Sequence, residues 1–248
     1  MDRLIYTSLT AMRGSMARQT AIANNLANAQ TPGFRADMAE AQSLWLNNGG
    51  VFDTRAMASE EVLGADMKAG TVVETGRDLD IAMQGDALLV VQATNGEEAY
   101  TRRGDLQLSP SGLLTTGDGS PVQGTQGPVT IPPADSISID SEGRLWIVPQ
   151  GGDPQNPQEV ERLRLATPAG SDIVKGIDGL FRVKGGGILP DDPEARLVTR
   201  SIEGSNVAAT TALVEMIEAS RSWDTQLKMI TDARDMDSAT ANLMQLPR

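Results

Sequence analysis

The chain has no cysteine and no histidine, and it is nearly without aromatics, with three Phe, three Trp and two Tyr among 248 residues. Without His there is no imidazole to act as base or nucleophile activator. Without Cys there is no thiolate, disulfide, iron-sulfur cluster or thiol-bound zinc. The redox state of a compartment therefore leaves no mark on the chain. Catalysis is left to carboxylates, Tyr, Ser or one of the lysines Lys68, Lys175, Lys184 and Lys228. No apolar run approaches the ~18 residues of a membrane helix, so membrane insertion is not expected. The first residues also lack the apolar core of a cleaved secretory signal, which predicts that any exit from the cytoplasm uses another route.

What is present is acidic and unevenly spread. The net charge is -12, with +3 on residues 1–35, -2 on residues 206–248 and -13 on the stretch between them. A segment that acidic repels phosphate backbones, and no Lys/Arg stripe with interleaved aromatics offsets it, so nucleic acid is not an expected partner. A hydrophobic content of 40% permits a core of modest size, built mainly from Ala, Leu, Val, Ile and Met.

Hydrophobic period divides the chain into helix, a long non-helical middle and helix. At the N-terminus the apolar row runs Ile5, Leu9, Met12, Met16, then Gln19, Ala23 and Leu26, in steps of four and three. Thr31-Pro32-Gly33 ends it, because Pro cannot continue the hydrogen-bond ladder and Gly suits a left-handed exit. A second helix opens at Ser205-Asn206, either of which can serve as N-cap. Its row reads Leu213, Met216, Ser220, Trp223, Leu227, Ile230, Ala233, Met236 and Leu243. At ~1.5 Å per residue the two helices measure roughly 40 and 58 Å, too long to sit inside a small globule. The opposite charges of the two ends suit them to pack together, and their apolar rows alone fall short of the cost of ordering them. They are expected to need neighbours.

The middle reads as short strands with turn punctuation. Leu79-x-Ile81-x-Met83, Ile137-x-Ile139, Leu145-x-Ile147 and Leu163-x-Leu165 alternate, and Ala87 to Ala93 is an apolar run but for Gln92. Asp118-Gly119, Glu142-Gly143 and Asp178-Gly179 supply turns, and Gly151 to Pro157 reads as a surface loop. The expected organisation is an N-terminal helix over 1–33, an extended connector over 34–75 with helical character from Met38 to Leu46, a β-rich domain over 76–200 and a C-terminal helix over 201–248. The fold class is thus α+β: an all-β central domain flanked by long terminal helices that pair as a coiled-coil-like helical domain.

Few motifs suggest chemistry. Gly185-Gly186-Gly187 lacks the Lys and Ser/Thr of a phosphate loop. Asp78-x-Asp80 begins like a calcium loop, but Leu89 stands where the bidentate Glu belongs. Asp191-Asp192-Pro193-Glu194 reads as a solvated loop. No enzyme activity, metal or cofactor is expected.

The most informative segment is Asn24-Asn25-Leu26-Ala27-Asn28, followed by Thr31-Pro32-Gly33-Phe34-Arg35. Asn is a poor helix former, so propensity does not explain three of them here, whereas its amide can fix register against another helix or an adjoining backbone. The segment resembles the N-terminal signature of the flagellar basal-body rod and hook family. Tyr100 to Asp105, Gly112-Leu113-Leu114, Gly119 to Val122 and Glu203-Gly204-Ser205-Asn206-Val207 continue the resemblance in family order over nearly the whole chain. The opening Met1 to Thr7 resembles the proximal-rod branch more than the distal one, Leu88 replaces a frequent Phe, and residues 150–200 match weakly.

The resemblance implies a structural rod subunit of the bacterial flagellar basal body. It also implies export through the flagellar type III apparatus without a cleaved signal, and partners among other rod subunits and adjacent basal-body proteins. Leu9, Met12, Met16, Leu26, Leu213, Met216, Trp223, Leu227 and Ile230 would pack the helical tube. Asn24, Asn25, Asn28, Thr31, Gly33 and Phe34, with Ser205, Asn206 and Val207, would set helix ends and register. Two other readings stay open: a distal-rod or hook protein of the same family, and a hydrolase or sugar-binding β-domain carried on helical oligomerisation arms.

Overall fold

The computed structural model describes residues 2–45 and 56–244. Part of the stretch read as a connector, including Leu46, lies outside the described residues, as do the side chains of Ile5 and Leu243 at the ends of the helical rows. Among the described residues the chain is mostly β with one helix at each end, α1 (Asp2–Ala27) and α2 (Ala209–Met244), an α+β arrangement. Two compact units result. One gathers α1, α2 and a paired couple of strands, Asp37–Trp45 and Ala56–Ala65. The other contains residues 28–36 together with 64–207.

In the second unit the largest sheet has five strands. Their order is Leu165–Ala166, Leu88–Gln92, Glu98–Thr101, Phe181–Val183 and Ile173–Lys175, all antiparallel. The apolar run Leu88–Val91 on its second strand follows from burial on both faces. Leu89 and Val91 point into the main core with Ile81, Leu106, Leu114 and Leu145, while Leu88 and Val90 join a smaller cluster with Tyr100, Phe181 and Leu189. Leu88 is therefore a packing residue against two aromatics. A three-stranded sheet, Ala134–Ile139, Arg144–Pro149 and Gln158–Arg162, carries the alternating Ile137/Ile139 and Leu145/Ile147 pairs.

The turn before Arg144 is organised by Asp140. Its carboxylate accepts from the Glu142 and Arg144 amides, the Arg144 guanidinium and the Trp146 indole. Partial burial pushes this carboxyl upward, but those donors outweigh it and hold Asp140 below the usual carboxylate range.

Tyr100 ties the smaller cluster to the surface. Its hydroxyl donates to Glu98 and accepts from the Leu189 amide at 2.6 Å, and Glu98 is paired with Arg164 at 2.6 Å. Burial, reinforced by the bond to Glu98, pushes the phenol up from 10.0 to about 12. Because the fold favours the protonated phenol, its contribution to stability is complete below pH ~10 and is lost as pH rises towards 12. Alkaline unfolding followed by circular dichroism should show this loss, and Tyr100→Phe should flatten that part of the profile.

Two expectations are corrected here. The helical character read from Met38 is a strand, Asp37–Trp45, because a pairing partner at Ala56–Ala65 supplies the hydrogen bonds that local propensity would have drawn into a helix. Neither Ser205 nor Asn206 caps α2, which starts at Ala209 with the first helical bond from Ala212 N to Ala208 O. Both side chains are engaged elsewhere: the Ser205 hydroxyl accepts from the Val207 amide, and the Asn206 side chain bonds three backbone groups, those of Ala36, Asp66 and Lys68.

Candidate functional site

The helical unit offers one candidate surface. In α2 the buried and half-buried positions run Ala212, Met216, Ala219, Trp223, Gln226, Ile230 and Ala233, a strict alternation of four and three. In α1 they include Met12, Ser15, Gln19, Ile22 and Leu26 with the same alternation, flanked by buried Gly14 and Ala21. The helices lie against each other, and the Gln226 amide donates to the Ser15 hydroxyl at 2.9 Å. Small residues at Gly14, Ala21, Ala212, Ala219 and Ala233 permit close approach of the backbones.

Of the sequence-predicted row, Met12, Leu26, Met216, Trp223 and Ile230 are half-buried. Leu9, Met16, Leu213 and Leu227 instead stand one position aside and remain 44, 55, 49 and 40% exposed. Four large apolar side chains of the row are thus left on the outside of the pair.

Asn25 closes the helix onto the following strand. Its amide oxygen accepts from Asp37 N at 2.7 Å and its amide nitrogen donates to Asp37 O at 3.0 Å, while Asn24 donates to the Asp37 carboxylate. One Asn side chain therefore stands in for a strand neighbour. The helix itself stops at Ala27. Thr31 N bonds to Asn28 O, and the Thr31 hydroxyl donates to the Asn28 side chain, a local alternative that competes with helix continuation.

The β-rich unit holds the second candidate, a charged clasp. Arg35, Arg102 and Glu203 are all almost completely buried. One Glu203 oxygen pairs with Arg35 Nη2 at 2.7 Å and accepts from Gly70 N at 2.7 Å; the other takes Arg102 Nη2 at 2.6 Å and Nε at 2.8 Å. Two cations against one carboxylate leave an excess positive charge, which backbone carbonyls absorb: Arg102 also donates to Met83, Gly85 and Ala87, and Arg35 to Lys68. Burial draws the Arg35 guanidinium below its ordinary pKa, with Glu203 opposing and Arg102 reinforcing the shift.

Around the clasp the predicted register residues find their places. Gly33 N donates to Glu203 O at 2.7 Å and the residue has φ +67°; a Cβ there would sit 2.3 Å from the Arg102 carbonyl carbon. Gly70 is equally constrained, since a Cβ would meet Gly204 O at 2.0 Å. Lys175 Nζ lies 3.6 Å over the Phe34 ring and donates to Arg35 O at 2.7 Å. Asn206 accepts from Ala36 N at 2.8 Å and donates to Asp66 O and Lys68 O, and its own amide donates to Phe34 O. Val207 is half-buried at the edge of this group. Arg35, Arg102, Glu203 and Lys175 carry no periodic signal of burial. Three of them do lie inside the blocks that carry the family resemblance.

These residues form binding and positioning geometry. Among the described residues no group of His, Cys, Asp or Glu is arranged to hold a metal. Three family models match in order along the chain. "Flagella basal body rod protein" matches residues 5–35, "Flagellar hook protein FlgE/F/G D1 domain" residues 82–147, and "Flagellar basal body rod FlgEFG protein C-terminal" residues 198–243. The chain belongs to the flagellar basal-body rod FlgE/F/G family.

Within it the chain is FlgF-like. It is 36% identical over 252 residues to the flagellar basal-body rod protein FlgF of Salmonella typhimurium, covering 99% of this chain and 100% of that one. It is 37% identical over 253 residues to FlgF of Escherichia coli K12 with the same coverage. The flagellar basal-body rod protein FlgG of Caulobacter vibrioides is 32% identical over 262 residues, with 96% and 98% covered.

Proposed function

We propose that the chain is a structural subunit of the proximal flagellar rod, delivered by the flagellar export apparatus and joined to other rod subunits through its terminal helices. The observation that carries the assembly reading is the exposed row Leu9, Met16, Leu213 and Leu227, set directly beside the buried α1–α2 positions. In this reading α1 and α2 pair as a short coiled-coil-like domain. The outer row then meets neighbours through heterologous contacts that repeat without closing, the symmetry of a filament.

In this reading residues 76–200 form a β-rich domain whose acidic side chains face solvent or the next basal-body component. The role is mechanical, and no catalytic residue is assigned. A strain deleted for the gene tests the reading: basal bodies should stop before a complete rod, with motility restored by the full chain. Complete rods and normal swimming in the deletion would refute it.

A further inference from the structure

Residues 28–36 pack as a bound peptide would. The chain before them, through Ala27, and after them, from Asp37, belongs to the helical unit, while this stretch alone packs with 64–207. Its contacts are those of a ligand in a groove. Gly33 N and Phe34 O exchange main-chain hydrogen bonds with Glu203 and Asn206, Lys175 covers the Phe34 ring and the Arg35 carbonyl, and the Arg35 guanidinium is swallowed beside Glu203. None of these contacts requires continuity with the residues on either side.

We infer that 64–207 carries a peptide-binding groove, filled in cis by Thr31–Arg35, and that its occupancy sets the stability of this unit. The inference does not rest on the rod reading. Main-chain bonds give the groove affinity, and three side-chain positions give it selectivity. The Gly33 position admits no Cβ against the Arg102 backbone. The Phe34 position takes an aromatic beneath Lys175. The Arg35 position needs a guanidinium that reaches Lys68 O and Glu203 at once, which the single ammonium of lysine does not match. The ligand class is an extended segment of the form Gly-aromatic-Arg, and the occupant is the chain's own strap. With the strap out, Glu203 keeps Arg102 as its one cation beside the Gly70 amide, and a set of main-chain groups loses its partners, so binding and folding of the unit are linked.

The test uses the full chain with Gly33→Ala and Arg35→Ala together, which prevents the strap from seating, and a synthetic peptide of residues 28–36 as probe. The variant should bind the peptide saturably, and its melting temperature should rise with peptide concentration, whereas wild type with its groove filled should not respond. A peptide carrying Arg35→Ala should bind about tenfold to a hundredfold more weakly, the loss of charge-assisted hydrogen bonds. A folded variant that ignores the peptide, or equal binding by wild type, overturns the inference.

Should the variant not fold, hydrogen exchange on wild type decides. The amides of Gly33, Ala36, Asp66 and Asn206 should open together and exchange faster than those of Leu88–Gln92. Exchange of this set only with the core contradicts a separable strap.

Discussion

Replacing Glu203 by alanine is expected to destabilise the β-rich unit by about 3–5 kcal/mol, the typical cost of removing one partner from a buried ion pair. The loss comes chiefly from what remains: Arg35 and Arg102, both buried, would face each other without the carboxylate between them, and Gly70 N would lose its acceptor. Backbone carbonyls can hold part of that charge but cannot separate the two guanidinium groups. Glu203→Gln should cost less, because the amide oxygen still accepts one of these bonds.

Urea denaturation followed by near-ultraviolet circular dichroism measures both variants. A double-mutant cycle sharpens the result. With Arg35 already replaced by Met, Glu203→Ala should cost clearly less than in wild type, since the unit then buries one orphaned cation and no longer two. Equal cost in both backgrounds would mean that the three residues do not act as a unit.

The second large effect concerns the helices. Leu9→Asp with Leu227→Asp should abolish rod assembly and swimming while changing the stability of the isolated chain by no more than ~0.5 kcal/mol, as expected for exposed positions. Ile22→Asp should behave in the opposite order. Ile22 is 7% exposed, and burying a carboxylate at this apolar position is costly, so α1 should lose its packing in the isolated chain before any question of assembly arises. Thermal melts of purified protein and swimming assays of complemented strains read the two properties separately. A swimming strain carrying Asp at both Leu9 and Leu227 would remove the outer row from the account.

The contrast between these positions shows how far the sequence could be read. Both helices were legible from their apolar spacing, and Met12, Leu26, Met216, Trp223 and Ile230 stand on or beside the buried side. Between those positions apolar size points to Leu9, Met16, Leu213 and Leu227, yet the buried and half-buried positions include Ser15, Ile22, Ala212 and Ala219. Hydrophobic size is therefore an incomplete guide where helices approach closely, because small residues such as Ala212 permit the approach while some large ones, Leu9, Met16, Leu213 and Leu227 among them, stay exposed.

The strands of the middle were legible for a simpler reason. Alternation at Ile137/Ile139 and the unbroken run from Ala87 to Val91 each follow directly from one-faced or two-faced burial. The clasp was not legible. Arg35, Arg102 and Glu203 lie in three separate segments, and burial of a charged side chain is a property of the assembled unit that no local pattern announces. Asn206 illustrates the same limit. Its type suits an N-cap, and only the proximity of Ala36, Asp66 and Lys68 turns it into a bridge.

The absence of cysteine makes the assembly claim directly measurable. Leu227→Cys introduces a sole thiol at a position 40% exposed in the isolated chain. A thiol reagent should modify it freely in purified protein, fail to modify it in isolated basal bodies, and modify it again once those bodies are dissociated by denaturant. Equal reactivity of this thiol in the isolated chain and in intact basal bodies would contradict assembly through the outer helical row.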